Sequence, residues 1–251
     1  SFARFYFLSN DELISILSQT KDPNAVQPHL RKCFEAIHGI AMKGKECEMN
    51  MMMSPEKESV AFLNPLYPKG SVEVWMGEIE TMMRKSVRHA TEVGLQAYKT
   101  TKRGQFVLEH AAMVVLSVTQ FYWTEEVEAA LNAAGAAGVL KYYDKMLEQL
   151  QELSLLVRTK LTKLQSKVLS ALIVMEVHAR DVVERLMAAK TETTMDFDWI
   201  SQLRYYWEEH ETYLGPTNLL LKMVQAMYPY GYEYLGASSR LVVTPLTDRC
   251  Y

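Results

Sequence analysis

The stretch Val72-Glu73-Val74-Trp75-Met76-Gly77-Glu78-Ile79-Glu80-Thr81-Met82-Met83-Arg84-Lys85-Ser86-Val87 decides the fold. Its apolar residues recur three and four apart, the spacing of one face of an α-helix. The pattern predicts a single amphipathic helix from Val72 to about Lys99, with Val72, Trp75, Ile79, Met82, Met83 and Val87 turned inward. Arg84, Lys85 and Arg88, then Lys99, Lys102 and Arg103, have the spacing of a solvated helical face. Gly104 is an expected interruption. A further helix is expected through Val107 to Phe121, and Thr124 is an expected cap for another reaching Leu131. Ala133-Ala134-Gly135-Ala136-Ala137-Gly138 is a soft break, and Val139 to about Ala189 reads as two helices meeting near Thr159 to Gln165. Helices of these lengths pack antiparallel, side by side.

Working back toward the N-terminus, Ser9 followed by Glu12 is a capping-box signature that opens a helix with Leu13, Ile14, Ile16 and Leu17. Pro28 fits the first position of the next helix, whose expected stripe is Leu30, Cys33, Phe34 and Ile37. Between Glu46 and Leu63 the period changes. Met49, Met51 and Met53 alternate with Asn50 and Met52, Ser54 to Glu58 turns the chain, and Val60-Ala61-Phe62-Leu63 completes a β-hairpin. Pro65, Pro68 and Gly70 read as a loop.

Toward the C-terminus, Leu203-Arg204-Tyr205-Tyr206-Trp207 is strand-like and Gly215-Pro216 reads as a turn. Leu219 to Leu235 alternates, which predicts Tyr228, Tyr230, Tyr232 and Tyr234 on one face. Leu241-Val242-Val243-Thr244 is a short buried strand closed by Pro245. The expected fold class is therefore mainly α: an elongated helical bundle with a small β-hairpin and a short β-rich C-terminal segment.

The 251 residues are 49% hydrophobic and 23% charged, with a formal net charge of -3. That length can bury a substantial core without disulfide or metal support. The charge balance offers no global field toward nucleic acid or anionic lipid, and no apolar run approaches a membrane span. Cys33, Cys47 and Cys250 form an odd set without repeated spacing, against a disulfide framework or a zinc site. The opening Ser1-Phe2-Ala3-Arg4-Phe5-Tyr6-Phe7 has neither an initiator Met nor a signal-peptide pattern, and the chain ends on Asp248-Arg249-Cys250-Tyr251 after a strand-like run. These ends predict a chain cut on both sides.

Chemical motifs are sparse. The sequence contains no G-x-x-x-x-G-K-[ST] to cradle phosphate; Gly135 to Lys141 is the nearest Gly/Lys cluster, wrongly spaced and better read as a break between helices. His178-Ala179-Arg180-Asp181 has the outline of a kinase catalytic loop but lies in a helical stretch without the accompanying motifs, where Arg180 and Asp181 can reach charged partners. Glu35 and His38 form one E-x-x-H pair on an expected helix face. A di-iron bundle needs two such pairs and two further carboxylates, so no metal site is assigned. The fifteen Met residues suit a core better than an adaptable groove.

Six blocks in order carry a resemblance. They are Phe5-Tyr6-Phe7-Leu8-Ser9-Asn10-Asp11-Glu12-Leu13 with Leu17-Ser18-Gln19-Thr20-Lys21-Asp22-Pro23 and Val26-Gln27-Pro28-His29-Leu30-Arg31-Lys32-Cys33-Phe34-Glu35; Ser117-Val118-Thr119-Gln120 with Tyr122-Trp123-Thr124; Ala171-Leu172-Ile173 with Val177 to Val183; Gln202 to Trp207; Tyr230-Gly231-Tyr232-Glu233-Tyr234-Leu235-Gly236; and Arg240 to Tyr251. Together the blocks resemble the linker of axonemal dynein heavy chains, collinearly and over essentially the whole chain.

The resemblance implies a minus-end-directed microtubule motor with a ring of six AAA+ modules, acting in the cytoplasm at the ciliary or flagellar axoneme. Residues 1–227 would be the ring-proximal half of the linker, and 228–251 the first strand and N-terminal loop of the first AAA+ module. Pro245, Leu246 and Thr247 would border the adenine pocket; the alternative is that they only close a strand. ATP or ADP with Mg would bind the full-length protein and not this segment alone. The implied partners are the chain's own AAA+ ring, axonemal dynein intermediate and light chains, and microtubules, with no nucleic acid and no membrane. The stretch Glu208 to Pro216 departs from the family's usual hairpin, which puts its strand pairing in doubt. The competing reading is a stand-alone helical interaction scaffold.

Overall fold

Apolar spacing translates into helices wherever it is sustained. The computed structural model describes residues 2–18, 23–212 and 215–238. After a 3-10 turn (Ala3–Phe7) come α1 (Asn10–Ser18), α2 (Pro23–Cys33), β1 (Gly39–Lys43), β2 (Glu48–Met53), β3 (Ser59–Leu66), α3 (Val72–Tyr98), α4 (Arg103–Glu109), α5 (Ala112–Val157), α6 (Lys163–Ala188), α7 (Phe197–Ile200), β4 (Arg204–Thr212), β5 (Gly215–Met223) and β6 (Ala226–Pro229). The fold is mainly α with two small antiparallel sheets, as the periodicity predicts. Its described residues divide into two compact units, one within residues 1–93 with 111–114 and 232–237, the other within residues 94–110 with 115–231.

In the first unit, the capping box forms as expected. The Ser9 amide donates to Glu12 Oε2 at 3.0 Å and the Glu12 amide to Ser9 Oγ at 3.4 Å, satisfying two orphan donors of α1. Pro28 does not start α2. It lies inside a helix that begins at Pro23, where its missing N–H omits one rung. The stripe Leu30, Cys33, Phe34 and Ile37 is buried throughout, but the helix stops at Cys33.

The hairpin of β2 and β3 is present, and β1 adds a third strand that the sequence does not announce. Gln27 on α2 treats β1 as a strand partner would: its Oε1 accepts from the Ile40 amide at 2.9 Å and its Nε2 donates to the Ile40 carbonyl at 2.7 Å. A bulge between Met49 and Met51 switches faces, so Met49 and Met52 are both buried despite their odd separation. Pro65 belongs to β3, not to the following loop. In α3, Val72, Trp75, Ile79, Met83 and Val87 are at most 2% exposed, with Met82 half-buried at the margin.

The second unit is built on α5. The non-helical angles of Ala134 (φ -155°, ψ 20°) and Gly135 (φ 54°, ψ -135°) break that helix. Lys145 Nζ then reaches Glu126 Oε1 at 2.7 Å. An unbroken helix would hold these residues about 28 Å apart, so α5 is a helical hairpin with antiparallel limbs. The predicted soft break is this turn. The Ala136 amide, first in the second limb, donates to Glu192 Oε2 at 3.4 Å. Trp123, Val127, Leu131, Val139, Tyr142 and Met146 from the two limbs form one buried cluster with Val182, Val183 and Leu186 of α6 and with Trp199.

Other expectations for this unit need correction. No helix runs from Val107 to Phe121: α4 ends at Glu109 and α5 begins at Ala112. Thr124 caps nothing. It is 1% exposed inside α5, where its hydroxyl donates to the Gln120 carbonyl (3.0 Å) and accepts from the Tyr205 amide at the start of β4 (3.0 Å). Gly104 sits inside α4. Arg103 is not on a solvated face: it forms a buried ion pair with Glu176 and donates to the Tyr98 hydroxyl at 2.5 Å. The junction at Thr159 to Gln165 is as expected, with α6 opened by a Thr162–Gln165 capping box. Arg180 and Asp181 pair with each other on α6.

β4 pairs with β5 on both sides of a register shift between Trp207 and His210, so strands do pair across the doubted stretch, and the irregularity expected there is a bulge. Gly215 and Pro216 are the first residues of β5 rather than a turn. The four tyrosines do not share a face. Tyr228 lies on β6 and is 52% exposed, whereas Tyr232, at φ 51°, and Tyr234 are buried beyond the strand. Tyr232 leaves the extended region altogether, and alternation ends there.

Candidate functional site at the seat of residues 232–237

The residues predicted to border a nucleotide, Pro245, Leu246 and Thr247, and the strand Leu241 to Thr244, lie outside the described residues. Glu35 and His38 are both exposed and stand beyond the end of α2, so they share no helix face. Among the described residues no group of three or more His, Cys, Asp or Glu side chains is placed to hold a metal, and no helix is long and apolar enough to cross a membrane.

The most developed polar arrangement in the first unit surrounds the segment that leads toward those C-terminal residues. Tyr234 is fully buried. Its hydroxyl donates to Glu58 Oε1 at 2.8 Å, and its amide points at Met83 Sδ, 3.5 Å away. Glu58, from the turn between β2 and β3, is 5% exposed; its other oxygen accepts from the Ala112 amide at 2.7 Å. One carboxylate thus links that turn, the start of α5 and residue 234. Gly236 closes the seat at φ 59°, with Ser54 Cβ only 2.8 Å from where a side chain would begin. Both the backbone angle and the close approach require glycine there.

The preceding residue is held independently. Arg4 sends Nη1 to Glu233 Oε1 (2.7 Å) and Nη2 to Glu233 Oε2 (2.6 Å). The same guanidinium donates to Glu80 Oε1 on α3 (3.0 Å) and to the Cys33 carbonyl at the end of α2 (3.1 Å), and lies 4.9 Å from the centre of the Phe34 ring. Arg84 adds a second cation to Glu80 at 2.9 Å.

Electrostatics separates the two acids. Burial would raise Glu80, but the hydrogen bonds and charges of Arg4 and Arg84 prevail and hold its carboxyl below the usual range. Burial raises Glu58, and the downward pull of the Ala112 amide and the Tyr234 hydroxyl does not cancel it. Glu58 therefore contributes most to stability below its unfolded value of 4.5, and that contribution is lost as pH rises through the higher folded value. We expect Glu58→Gln, which cannot ionise, to gain stability relative to the parent as pH is raised from 4.5 to 8. Paired urea midpoints check this; a constant difference across the range contradicts it.

Beside the seat, burial pushes the Cys33 thiol up to about 11, against a small opposing effect of Arg4. In a Cys250→Ser background at pH 8, iodoacetamide should label the half-exposed Cys47 well before Cys33, read by peptide mass. Equal rates would contradict this.

The sequence offered weak signals for this site. Arg4 is a lone charge among aromatics in Phe2-Ala3-Arg4-Phe5-Tyr6-Phe7, and Glu233 a lone charge between two tyrosines. Glu58 looked like any turn residue.

Two family models match the chain. One, described as "Dynein heavy chain, N-terminal region 2", covers residues 1–93. The other, "Hydrolytic ATP binding site of dynein motor region", covers residues 230–251. Both define the class of dynein heavy chains. Over the whole of its length the chain is 49% identical to dynein axonemal heavy chain 1 of Homo sapiens, 46% to dynein axonemal heavy chain 3 of Mus musculus and 41% to dynein axonemal heavy chain 6 of Homo sapiens. The chain belongs to the axonemal dynein heavy chains. It spans about 6% of the length of each of these relatives.

Proposed function

We propose that this chain is the ring-proximal part of the linker of an axonemal dynein and that it couples ATP-driven changes in the AAA+ ring to the power stroke on microtubules. Residues 1–227 are the linker portion, and 228–251 open the first AAA+ module, with Pro245, Leu246 and Thr247 at the edge of the adenine pocket. ATP or ADP with Mg is bound by the complete heavy chain. Its partners are its own ring, the axonemal intermediate and light chains, and microtubules, in the ciliary or flagellar axoneme.

One observation supports this reading above the others. The first structural unit combines residues 1–93, the span of the N-terminal-region match, with residues 232–237, which lie inside the ATP-site match. Residues from both matches thus share one body, through Glu58–Tyr234 and Arg4–Glu233. A coupling element needs a stiff connection between the parts it joins.

The test is a donor–acceptor dye pair in the intact heavy chain, one dye on exposed Lys85 replaced by Cys and the other on the ring. Energy transfer should differ between ATP-bound and nucleotide-free states. The same transfer efficiency in every nucleotide state would sink the reading.

A further inference from the structure

Consecutive residues Glu233 and Tyr234 are gripped by side chains from separate stretches of the same unit, Arg4 from the 3-10 turn and Glu58 from the β2–β3 turn. The Arg4 grip has a property that burial alone lacks. Its planar fork meets both oxygens of Glu233, while the same group is tied to Glu80 on α3 and to the carbonyl that ends α2. Bidentate pairing is sensitive to direction as well as distance. A shift of the segment by one residue would replace Glu233 with Tyr232 or Tyr234, neither of which can take the fork. Arg4 thus fixes the register in which residues 232–237, inside the ATP-site match, are seated in the first unit.

We propose that Arg4 is a positioning residue of the motor, acting through Glu233 to set the register of the segment entering the nucleotide-binding module. The inference rests on the coupling role proposed above. It predicts a particular defect: ATP is still bound and turned over, but turnover is converted less well into movement.

The experiment uses the intact heavy chain carrying Arg4→Gln, Arg4→Lys, Glu233→Gln or Arg84→Gln, with ATP turnover, KM for ATP and microtubule gliding velocity measured on each. Arg84→Gln also removes a cation from Glu80, but outside the Glu233 fork. Arg4→Gln and Glu233→Gln should lower the ratio of gliding velocity to turnover by roughly two- to thirtyfold, the range of mutational effects on coupling between sites. Arg4→Lys, which keeps the charge and loses the fork, should fall between Arg4→Gln and the parent, and Arg84→Gln should keep the parental ratio.

An unchanged ratio in Arg4→Gln and Glu233→Gln would overturn the proposal, as would an equal loss in Arg84→Gln. If Arg4→Gln fails to bind ATP at all, Arg4→Lys decides: a lowered ratio supports the positioning role and a parental one removes it. Failure of the wider reading is seen separately, as parental heavy chain whose dye pair ignores nucleotide. A responsive dye pair with an unchanged ratio condemns Arg4's role alone.

Discussion

Replacing Tyr234 with alanine is expected to detach residues 232–237 from their seat. The side chain is fully buried and its hydroxyl is bonded to a carboxylate that is itself 5% exposed. Truncating a buried large aromatic to alanine costs about 3–5 kcal/mol in lost transfer energy and residual cavity, and Glu58 Oε1 also loses the Tyr234 donor. That sum is a ceiling. The segment is short, so once its anchor is gone it can leave locally without unfolding the helices, and the observed cost stops at the free energy of release. Hydrogen exchange of a peptide spanning 230–238 reads this directly. A loss of about 3 kcal/mol corresponds to roughly a hundredfold faster exchange there, with peptides from α6 unchanged. Tyr234→Phe separates the two contributions: it keeps the ring and removes one bond to a buried carboxylate, at about 1–3 kcal/mol. If exchange at 230–238 is the same in Tyr234→Ala and the parent, the ring does not anchor the segment.

Helices were legible wherever one apolar stripe ran long enough to outvote its neighbours, as in α3 and α6. The junction expected near Thr159 to Gln165 is where α6 opens, although the Thr162–Gln165 capping box there was not read from the sequence. What escaped the sequence was every feature whose partner lies far along the chain. β1 is short and does not alternate; it is a strand because it pairs with β2, and Gln27, on a helix, bonds to Ile40 on its other edge. Thr124 has the composition of a cap, and only the Tyr205 amide explains a buried threonine in mid-helix. Arg103 sits in a run that reads as solvated, and Glu176, far along the chain, draws it inside. The seat is of the same kind. Arg4–Glu233 and Glu58–Tyr234 span most of the chain, so no local window contains both halves of either bond. The residues named from the resemblance, Pro245, Leu246 and Thr247, lie outside the described residues, and a family motif marks a segment without saying what holds it.

Gly138→Ala in the second limb of α5 should destabilise the chain by about 2 kcal/mol, although helix propensity argues the opposite. In an exposed helix, alanine is favoured over glycine by about 1 kcal/mol. At Gly138, however, a Cβ would lie 2.0 Å from the Ala130 carbonyl oxygen, 2.9 Å from its carbon and 3.4 Å from its Cα. All three are backbone atoms of the opposing limb, which cannot swing aside as a side-chain end would. The limbs must separate, and the cluster that includes Leu131, Val139 and Tyr142 loses its close fit. Overpacking of this kind costs about 1–3 kcal/mol, more where backbone has to move, which exceeds the propensity gain. Gly77 in α3 is the natural control, since nothing lies within 4 Å of a Cβ built there. Gly77→Ala should therefore stabilise by about 0.4–1 kcal/mol. Urea midpoints of the two variants should move in opposite directions from the parent. If Gly138→Ala moves upward with Gly77→Ala, the limbs of α5 do not approach as closely as the structure shows, and the hairpin turn at Ala134 and Gly135 is not what sets their spacing.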